Sequence, residues 1–540
     1  MLKLTLHMTS DEIIEIIELH AKLLELHGEN SFKVKAFSNA AFKLNKLRYE
    51  FEGRSQEEID NIEGIGKSIS KFISELIQHG SAKEHDQLLE KTPAGVVDML
   101  TIKGLGPKKV HAIWKELGCE SVGELLYACN ENRLASLKGF GEKTQESVKA
   151  NIEFKLMNSG KRHFAAVESV VIELINSLQK EHTHFQIEAV GAFRRKCEVI
   201  DEVEILCDHE LKNDLASFEA QTGLRIHIHT CKPNEFANQL FELTATAEHL
   251  KQCGYEEVKQ TDFTSEEEIY EALNLQYIEP ELREGLNEVK LAKSNAIPEL
   301  ITVTDLKGIL HNHTTYSDGV NTLKEMADAC HKLGYEYLGI CDHSKSAFYA
   351  NGLDENRIIQ QHNEIDKLNA SYSNFKILKG IESDILNDGS LDYSSDVLAS
   401  FDFVVASVHS NLKMTEEKAT HRLIKAIENP YTSILGHPTG RLLLARQGYP
   451  IDHKKVIDAC AANGVHMELN AHPYRLDIDW RWIWYCLEKN VKVSINPDAH
   501  QIEGYDDMYY GVCVARKGML TKDTCLNALD LNDLLKTFKK

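Results

Sequence analysis

Long apolar runs are missing from this 540-residue sequence. No stretch reaches the length of about 18 apolar residues that a membrane-spanning helix needs, so we predict no membrane span. The twelve cysteines form no CxxC pair and follow no regular spacing, which argues against both a zinc ribbon and a disulfide framework. A reduced protein of the cytoplasm is the simplest interpretation.

Positive charge is scarce as well. Lysine and arginine number 61 against 83 aspartates and glutamates, a formal net charge of −22. This balance argues against a chain that coats nucleic acid along its whole surface, although a local binding face remains compatible with it. Carboxylates that hold metal ions would also add to the negative count. A chain of this length is expected to form about two to four domains.

A glycine pattern occurs three times in the first third of the chain, at 62–67, 102–109 and 137–143. Each copy has the form apolar–x–Gly–apolar–Gly and precedes a helical pattern, as in a helix-hairpin-helix motif. Such a turn leaves backbone N–H groups free at a helix start, where they can hold a DNA phosphate without reading a base. The alternative is a tight turn between helices. The predicted DNA contacts are Gly64, Gly66, Lys67, Gly104, Gly106, Lys108, Lys109, Gly139, Gly141 and Lys143.

Strand-like and helical patterns alternate from residue 306 onward, with strands predicted at 337–341, 375–381, 403–408, 433–436, 466–469 and 491–495. Repeated units of this kind indicate an α/β barrel, whose active site lies at the carboxyl ends of the strands.

Residues of the metal-binding type follow one strand after another in this half. His311 and His313 are two residues apart, so an extended backbone points both imidazoles to the same side. Mixed imidazole and carboxylate ligands suit zinc, manganese or iron better than magnesium or calcium. The candidate metal ligands are His311, His313, Asp318, His343, Glu382, His409, His437, Asp498 and His500.

The order of these motifs, from about residue 9 to the C-terminus, resembles the bacterial family X DNA polymerases that carry a C-terminal PHP domain. The resemblance implies an all-α helix-hairpin-helix head, an α+β nucleotidyltransferase-like palm and a distorted TIM-like PHP barrel. We expect a DNA-binding domain at 1–95, a fingers-like hairpin domain at 96–160, palm and thumb at 161–300, and a metallophosphoesterase at 301–540.

The polymerase motifs of that family are altered in this chain. Where the family has G-S-x-R-R-G, this sequence keeps Arg194 and Arg195 but has Ala192 and Lys196 in place of the serine and second glycine. Glu202 and Glu204 stand on the two metal-binding aspartates, and the third aspartate falls on His227. Magnesium requires short, near-ideal octahedral oxygen contacts. We therefore expect no secure magnesium site in the palm and weak or lost polymerase activity.

The resemblance also implies how the ligands are shared. One metal would take His311, His313, Glu382 and Asp498, a second Glu382, His409 and His437, and a third Asp318, His343 and His500. The residues expected to be catalytic are His311, His313, Glu382, His409, Asp498 and His500. Arg441 and Arg475 could clamp phosphate oxygens, or form surface salt bridges instead.

The activity that these features favour is a metal-dependent 3′-5′ exonuclease or phosphoesterase acting on gapped, nicked or 3′-recessed DNA. The first alternative is an active gap-filling polymerase in which glutamates replace aspartates. The others are a DNA-binding scaffold whose barrel merely stores metal, and a small-molecule phosphatase.

Overall fold

A computed structural model describes residues 8–538 except 48, 131–132, 136, 158–159, 212–214 and 445–446. The chain divides into two compact units, Met1–Ser159 and Gly160–Lys540. Within the described residues, no helix is both long and apolar enough to cross a lipid bilayer.

The first unit is helical. Thr9 caps α1 with a capping box to Glu12, and the helix buries a stripe of isoleucines and leucines against α2. The helices are α1 (Ser10–Leu26), α2 (Ser31–Lys46), α3 (Gln56–Asp60), α4 (Lys67–His79), α5 (Lys83–Glu90), α6 (Ala94–Met99), α7 (Pro107–Leu117), α8 (Val122–Asn130) and α9 (Glu142–Met157).

The second unit begins with a small mixed domain. Its three-stranded sheet has the order β2-β4-β5, in which β4 pairs antiparallel with β2 and parallel with β5, while β1 pairs with β3. The strands are β1 (Arg162–His163), β2 (Ile187–Ala189), β3 (Val199–Ile200), β4 (Glu202–Cys207) and β5 (Arg225–Thr230). The helices are α10 (Phe164–Glu181), α11 (Gly191–Arg194), α12 (Ala216–Thr222), α13 (Phe236–Thr244), α14 (Ala247–Cys253), α15 (Glu266–Ala272) and α16 (Glu288–Ala292).

A parallel seven-stranded sheet of order β12-β11-β10-β9-β8-β7-β6 forms the rest of the second unit. A parallel bridge between Asn312 and Ala499, beyond the ends of β6 and β12, nearly closes it into a barrel. The strands are β6 (Gly308–Ile309), β7 (Tyr337–Ile340), β8 (Lys376–Asp384), β9 (Phe403–Ser407), β10 (Ile434–Leu435), β11 (His466–Asn470) and β12 (Val493–Asn496).

Helices pack around this barrel, and the apolar strand residues are almost completely buried between the two layers. They are α17 (Leu323–Lys332), α18 (Glu355–Asn369), α19 (Ser395–Leu398), α20 (Glu416–Ile427), α21 (His453–Asn463), α22 (Ile483–Glu488), α23 (Met508–Lys517) and α24 (Leu531–Phe538). The predicted fold class is confirmed: a helical head, a mixed α+β domain and a TIM-like barrel. The proposed domain boundaries stay predictions.

Candidate functional site

Glu382 lies at the centre of the barrel mouth, on the last part of β8. Its Oε1 is 2.9 Å from Nε2 of His437 and 3.1 Å from Nε2 of His409. Its Oε2 is 2.9 Å from Nδ1 of His343. The side chain of Glu382 is buried, so a single carboxylate connects histidines that follow three different strands.

All nine predicted ligands gather at this mouth. His437, at the end of β10, contacts Glu382, and Asp498, after β12, lies 2.9 Å from His313. In three groups, the ligand atoms all lie within 4.8 Å of one another. These groups are His313 with Asp318, His343 and His500; His311 with His313 and Glu382; and His343 with Glu382 and His409.

Hydrogen bonds fix the tautomers of three of these histidines. Nδ1 of His311 faces Oε1 of Glu468 at 2.7 Å, and Nδ1 of His409 faces Oδ1 of Asp384. Nδ1 of His500 faces the carbonyl oxygen of Asp498 at 2.8 Å. Because these oxygens only accept hydrogen bonds, the protons belong on Nδ1, and Nε2 of each ring is left as a potential metal ligand.

The chemistry of this donor set fits divalent cations. Nε2 of His311 is buried without a hydrogen-bond partner in the described part of the chain. It lies 3.4 Å from Oε1 of Glu382 and 3.6 Å from Oδ1 of Asp498. Burial would lower the pKa of His311, but Glu468, Asp498 and Glu382 raise it well above its ordinary value. The field that draws a proton to this atom would equally draw a metal cation.

His313 is held in the neutral form that binds metals. Burial, together with the neighbouring rings of His500 and His343, lowers the pKa of His313 to about 3.

Asp498 and His437 have backbones with φ of 54° and 21°, a conformation that costs free energy in residues other than glycine. Strain at two predicted ligands is typical of a functional site.

The sequence analysis missed Glu468 and Asp384. Glu468 is fully buried within β11, where it receives hydrogen bonds from the backbone N–H of His437 and from Asn496. Asp384 ends β8 and holds His409. The one available signal was a charged residue inside an otherwise apolar strand, because neither residue belongs to a spaced motif.

Asp342 holds the loop that carries Asp318. It accepts hydrogen bonds from the backbone and hydroxyl of Thr314 and of Ser317, and from Gln361. Because Ser317 directly precedes Asp318, these hydrogen bonds position one of the candidate metal ligands.

The two arginines of the predicted phosphate clamp lie in different surroundings. The guanidinium of Arg441 donates to Asp479 and to the carbonyl oxygens of Arg475 and Leu476. It therefore holds the loop after β11 together. Nε of Arg475 lies 4.0 Å from Oδ2 of Asp498. It is therefore beside the nine candidate ligands at the barrel mouth, which we call the metal-ligand cluster.

Glu202 and Glu204 lie on β4, and His227 is the register partner of Glu204 on the parallel strand β5. Oε2 of Glu204 is 2.9 Å from Nε2 of His229, whose ring is 4.4 Å from that of His227. One of the two glutamates is thus already paired with an imidazole. The groups of potential metal ligands found in the described residues do not include this region.

The side chains of Arg194 and Arg195 are engaged by acidic residues that follow later in the chain. Arg194 binds Glu266 through both terminal nitrogens, at 2.9 and 2.7 Å, and also donates to Thr244. Arg195 donates to the carbonyl oxygen of Thr244 at 2.7 Å and lies 3.3 Å from Glu284.

Lys196 follows with φ of 51°, and its Nζ lies over the ring of Tyr509 in the barrel domain. The loop that carries the altered G-S-x-R-R-G motif is therefore engaged by contacts within the protein.

The first and second glycines of each hairpin are needed for different reasons. Gly64, Gly104 and Gly139 have φ of 82°, 90° and 89°, so the turn itself demands glycine. Gly66 and Gly106 cap α4 and α7 with φ of −82° and −78°. A Cβ at Gly66, Gly106 or Gly141 would meet nothing within 4 Å. Crowding inside the protein thus does not explain the second glycine of each hairpin.

Four family models match this chain. They are a helix-hairpin-helix domain at residues 8–82, a SAM-like helix-hairpin-helix tandem at 96–152, a DNA polymerase beta thumb at 235–284 and a PHP domain at 310–472. The PHP match includes seven of the nine metal-ligand candidates, from His311 to His437, and ends before Asp498 and His500.

Relatives match both the whole chain and its barrel. The chain is 36% identical over 575 aligned positions to the "DNA polymerase/3'-5' exonuclease PolX" of Bacillus subtilis (strain 168), an alignment that covers 98% of this chain and 99% of that protein. It is 32% identical over 214 positions to a "Probable phosphatase" of Acetivibrio thermocellus, covering 37% of this chain and 83% of that protein. A further "Probable phosphatase", of Thermoanaerobacter sp. (strain X514), is 28% identical over 235 positions, which cover 41% of this chain and 91% of that protein.

Proposed function

The chain belongs to the bacterial family X DNA polymerases that carry a C-terminal PHP domain, and from this premise we propose that it is a metal-dependent 3′-5′ exonuclease and phosphoesterase acting on DNA. The observation that carries the proposal is the convergence of imidazoles and carboxylates around Glu382 at the barrel mouth. The relative that matches the whole chain is named both a DNA polymerase and a 3′-5′ exonuclease, and the relatives that match the barrel are named probable phosphatases. The exonuclease and phosphatase names support hydrolysis of phosphate esters.

The site would hold three divalent ions of zinc, manganese or iron. His311, His313, Glu382 and Asp498 would hold the first, Glu382, His409 and His437 the second, and Asp318, His343 and His500 the third. Bound cations of this kind lower the pKa of water toward neutrality and offset negative charge on phosphate oxygens.

Side chains around the candidate site orient its histidines and leave one side of it open to a substrate. Glu468, Asp384 and the carbonyl oxygen of Asp498 fix the ring orientation of three histidines. The side chains of Asp318 and His500 are 29% and 38% exposed, whereas those of His311, His313 and Glu382 are buried. A phosphodiester would therefore enter from the Asp318 side, where Arg475 adds a positive charge beside Asp498.

The hairpins of the first unit would hold DNA by its backbone. The second glycines leave the helix starts open, so that a phosphate oxygen can approach the free N–H groups. Lys67, Lys108 and Lys143 are exposed next to these turns. This mode of contact suits gapped, nicked or 3′-recessed duplexes, which share a backbone and no sequence. Because its substrate would be DNA, we place the action of the protein in the cytoplasm.

We expect polymerase activity to be weak or lost, and three contacts favour this expectation. Glu204 is paired with His229, Arg194 is held bidentately by Glu266, and Lys196 contacts Tyr509. An active gap-filling polymerase is the competing function. Primer extension on gapped DNA with Mg²⁺ or Mn²⁺ separates the two. We expect no extension beyond the level of the Glu202→Ala and Glu204→Ala variants, and extension that these substitutions abolish would establish the polymerase instead.

The nuclease itself is tested with His409→Ala, a change at a ligand that contacts Glu382. We expect degradation of a 3′-recessed duplex to fall by at least about 100-fold, with DNA binding unchanged, because ligand loss removes a cation from the site. His421→Ala, on the exposed face of α20, is the matched control. Undiminished degradation in His409→Ala would favour a scaffold whose barrel merely stores metal. Hydrolysis of small phosphate esters without attack on DNA would favour the small-molecule phosphatase.

A further inference from the structure

Two aromatic side chains are exposed at the mouth of the barrel. Phe348 follows β7 and is 88% exposed, and Tyr474 follows β11 and is 50% exposed. Strands β8, β9 and β10 lie between β7 and β11 in the sheet. The two rings therefore belong to loops on different arcs of the mouth.

The loop that carries Phe348 is ordered by its own hydrogen bonds. The N–H of Gly352 donates to the carbonyl oxygen of Ala347 at 3.1 Å, which closes the turn around the ring. Ser346 donates to Asp384, the partner of His409, at 3.1 Å. Asn351 donates to the carbonyl oxygen of Ser317, next to Asp318, at 3.5 Å. The exposed ring is thus held on a loop that is fixed at both ends to residues beside the cluster.

Tyr474 is held in a comparable way. The ring of His163 lies 4.2 Å from its ring at an interplanar angle of 30°, and Nε2 of His163 is 3.0 Å from the carbonyl oxygen of Leu443. The next residue, Arg475, reaches Asp498 of the cluster. A residue of the palm therefore helps to hold an aromatic ring beside the place where a phosphodiester would be hydrolysed.

A large apolar ring held in water on an ordered loop is unfavourable for the free protein, since the same residue would be more stable buried. Ordered, exposed aromatic rings beside a phosphate site suit the stacking of nucleobases, which requires no particular base. A paired base offers its faces to its neighbours in the duplex, so such stacking needs unpaired nucleotides.

We propose that Phe348 and Tyr474 stack on bases of the unpaired 3′ end of a DNA strand and so hold its terminal phosphodiester at the metal-ligand cluster. This inference rests on the proposed nuclease function and names the residues that select its substrate. The rings act through the bases, whereas the cluster acts on the phosphate.

The test compares two single-stranded oligonucleotides of the same length with the full-length, Mn²⁺-loaded protein. One is an ordinary strand, and the other carries base-free tetrahydrofuran units at its last two 3′ positions. We expect Phe348→Ala to raise KM about tenfold on the ordinary strand, with kcat little changed, because one base–aromatic stack is lost. On the base-free strand Phe348→Ala should match the wild type. Phe348→Trp should restore the ordinary KM, and Tyr474→Ala should repeat the pattern of Phe348→Ala.

Leu333→Ala is the matched control, since Leu333 is also an exposed apolar residue but precedes β7 at the opposite end of the barrel. An unchanged KM in both alanine variants, or an equal loss on the two strands, would overturn the stacking role. If the wild type degraded neither of these strands nor a 3′-recessed duplex, the proposed nuclease function itself would fail, whereas degradation of the duplex alone would overturn the stacking role.

Discussion

The individual residues of the barrel mouth show how carboxylates outside the ligand set shape a metal site. Glu468 accepts hydrogen bonds from Nδ1 of His311, from the side-chain amide of Asn496 and from the backbone N–H of His437, each of which is the donor in this arrangement. The two oxygens of Glu468 thus meet donors alone, which an amide of the same size could not satisfy.

Glu468→Gln is expected to lower metal affinity by roughly 10- to 100-fold, because its NH₂ group would face a donor and release His311. Isothermal titration with Zn²⁺ or Mn²⁺ against a competing chelator measures the change. Glu503→Gln, on an exposed residue, controls for the loss of one negative charge. Equal affinity in the Glu468 variant would show that His311 needs no such partner.

The buried side chain of His20 makes the stability of the first unit depend on pH. Its side chain is buried against the rings of Phe37 and Phe72, at 4.6 and 4.5 Å, and burial lowers its pKa to about 4 despite Glu84 nearby. The unfolded chain binds a proton near pH 6.5, so folding is favoured above that pH and loses stability as the pH falls toward 4.

We expect the free energy of unfolding of the first unit to fall by about 1–2 kcal/mol between pH 7 and pH 5. This is less than the whole pKa shift corresponds to, because pH 5 still lies above the pKa of about 4 in the folded protein. Hydrogen exchange of α1 amides measures the fall. His20→Leu should flatten this dependence, while the exposed His79→Leu should not. An identical slope in wild type and His20→Leu would contradict the assignment.

The residues of the site were largely predictable because their spacing follows the strands. His311, His343, His409 and His437 each follow a strand, and parallel strands bring their carboxyl ends together. Glu468 and Asp384 could not be assigned because their role depends on which histidine nitrogen faces them, a detail of side-chain orientation. The contacts of Arg441 depend likewise on the path of the loop after β11.

Among the structural elements, the helix-hairpin-helix turns contain glycines that are needed for two different reasons. Gly104 has a left-handed backbone, whereas Gly106 caps α7 with an ordinary φ and open space around it. The repeated sequence pattern predicted that both glycines matter. It could not show that one is needed for its positive φ and the other to let a DNA phosphate approach the helix start. The length of β8 was also underestimated: it continues to Asp384, because Glu382, Ser383 and Asp384 remain paired with β9.

Gly106→Ala should change the free energy of unfolding by less than about 1 kcal/mol but weaken DNA binding, since the methyl group occupies the path of the phosphate. Gly104→Ala should instead destabilise the first unit by about 1 kcal/mol or more, because alanine resists a positive φ. Chemical denaturation and fluorescence anisotropy with a short duplex measure the two effects. Unchanged DNA affinity in Gly106→Ala, repeated in Gly66→Ala, would remove the hairpins from the DNA interface.

At the scale of the whole molecule, the second unit joins palm, thumb and barrel through buried charges. Lys517 of α23 is buried and donates to the carbonyl oxygens of Arg195 and Glu281, at 2.9 and 3.2 Å, and to the carboxylate of Glu284. Glu284 also contacts Arg195. The loop that carries Arg195 is thus part of the junction with the barrel, which gives this loop a structural role.

Lys517→Met should lower the free energy of unfolding of the second unit by about 3 kcal/mol, because Glu284 loses a buried partner. The double variant Lys517→Met with Glu284→Gln should be less destabilised than the sum of the two single variants. Calorimetry of the full chain measures both, with Lys522→Met, an exposed lysine, as control. Additive effects of the two substitutions would show that the pair does not join the domains.

Elemental analysis of the purified protein, combined with a nuclease assay on a 3′-recessed duplex, tests whether the barrel mouth binds several divalent ions that hydrolyse DNA. We predict about three ions of zinc, manganese or iron per chain. Chelation should abolish degradation of the 3′ end, and added metal should restore it. A metal-free protein that degrades the duplex at the full rate in the presence of chelator would contradict the account.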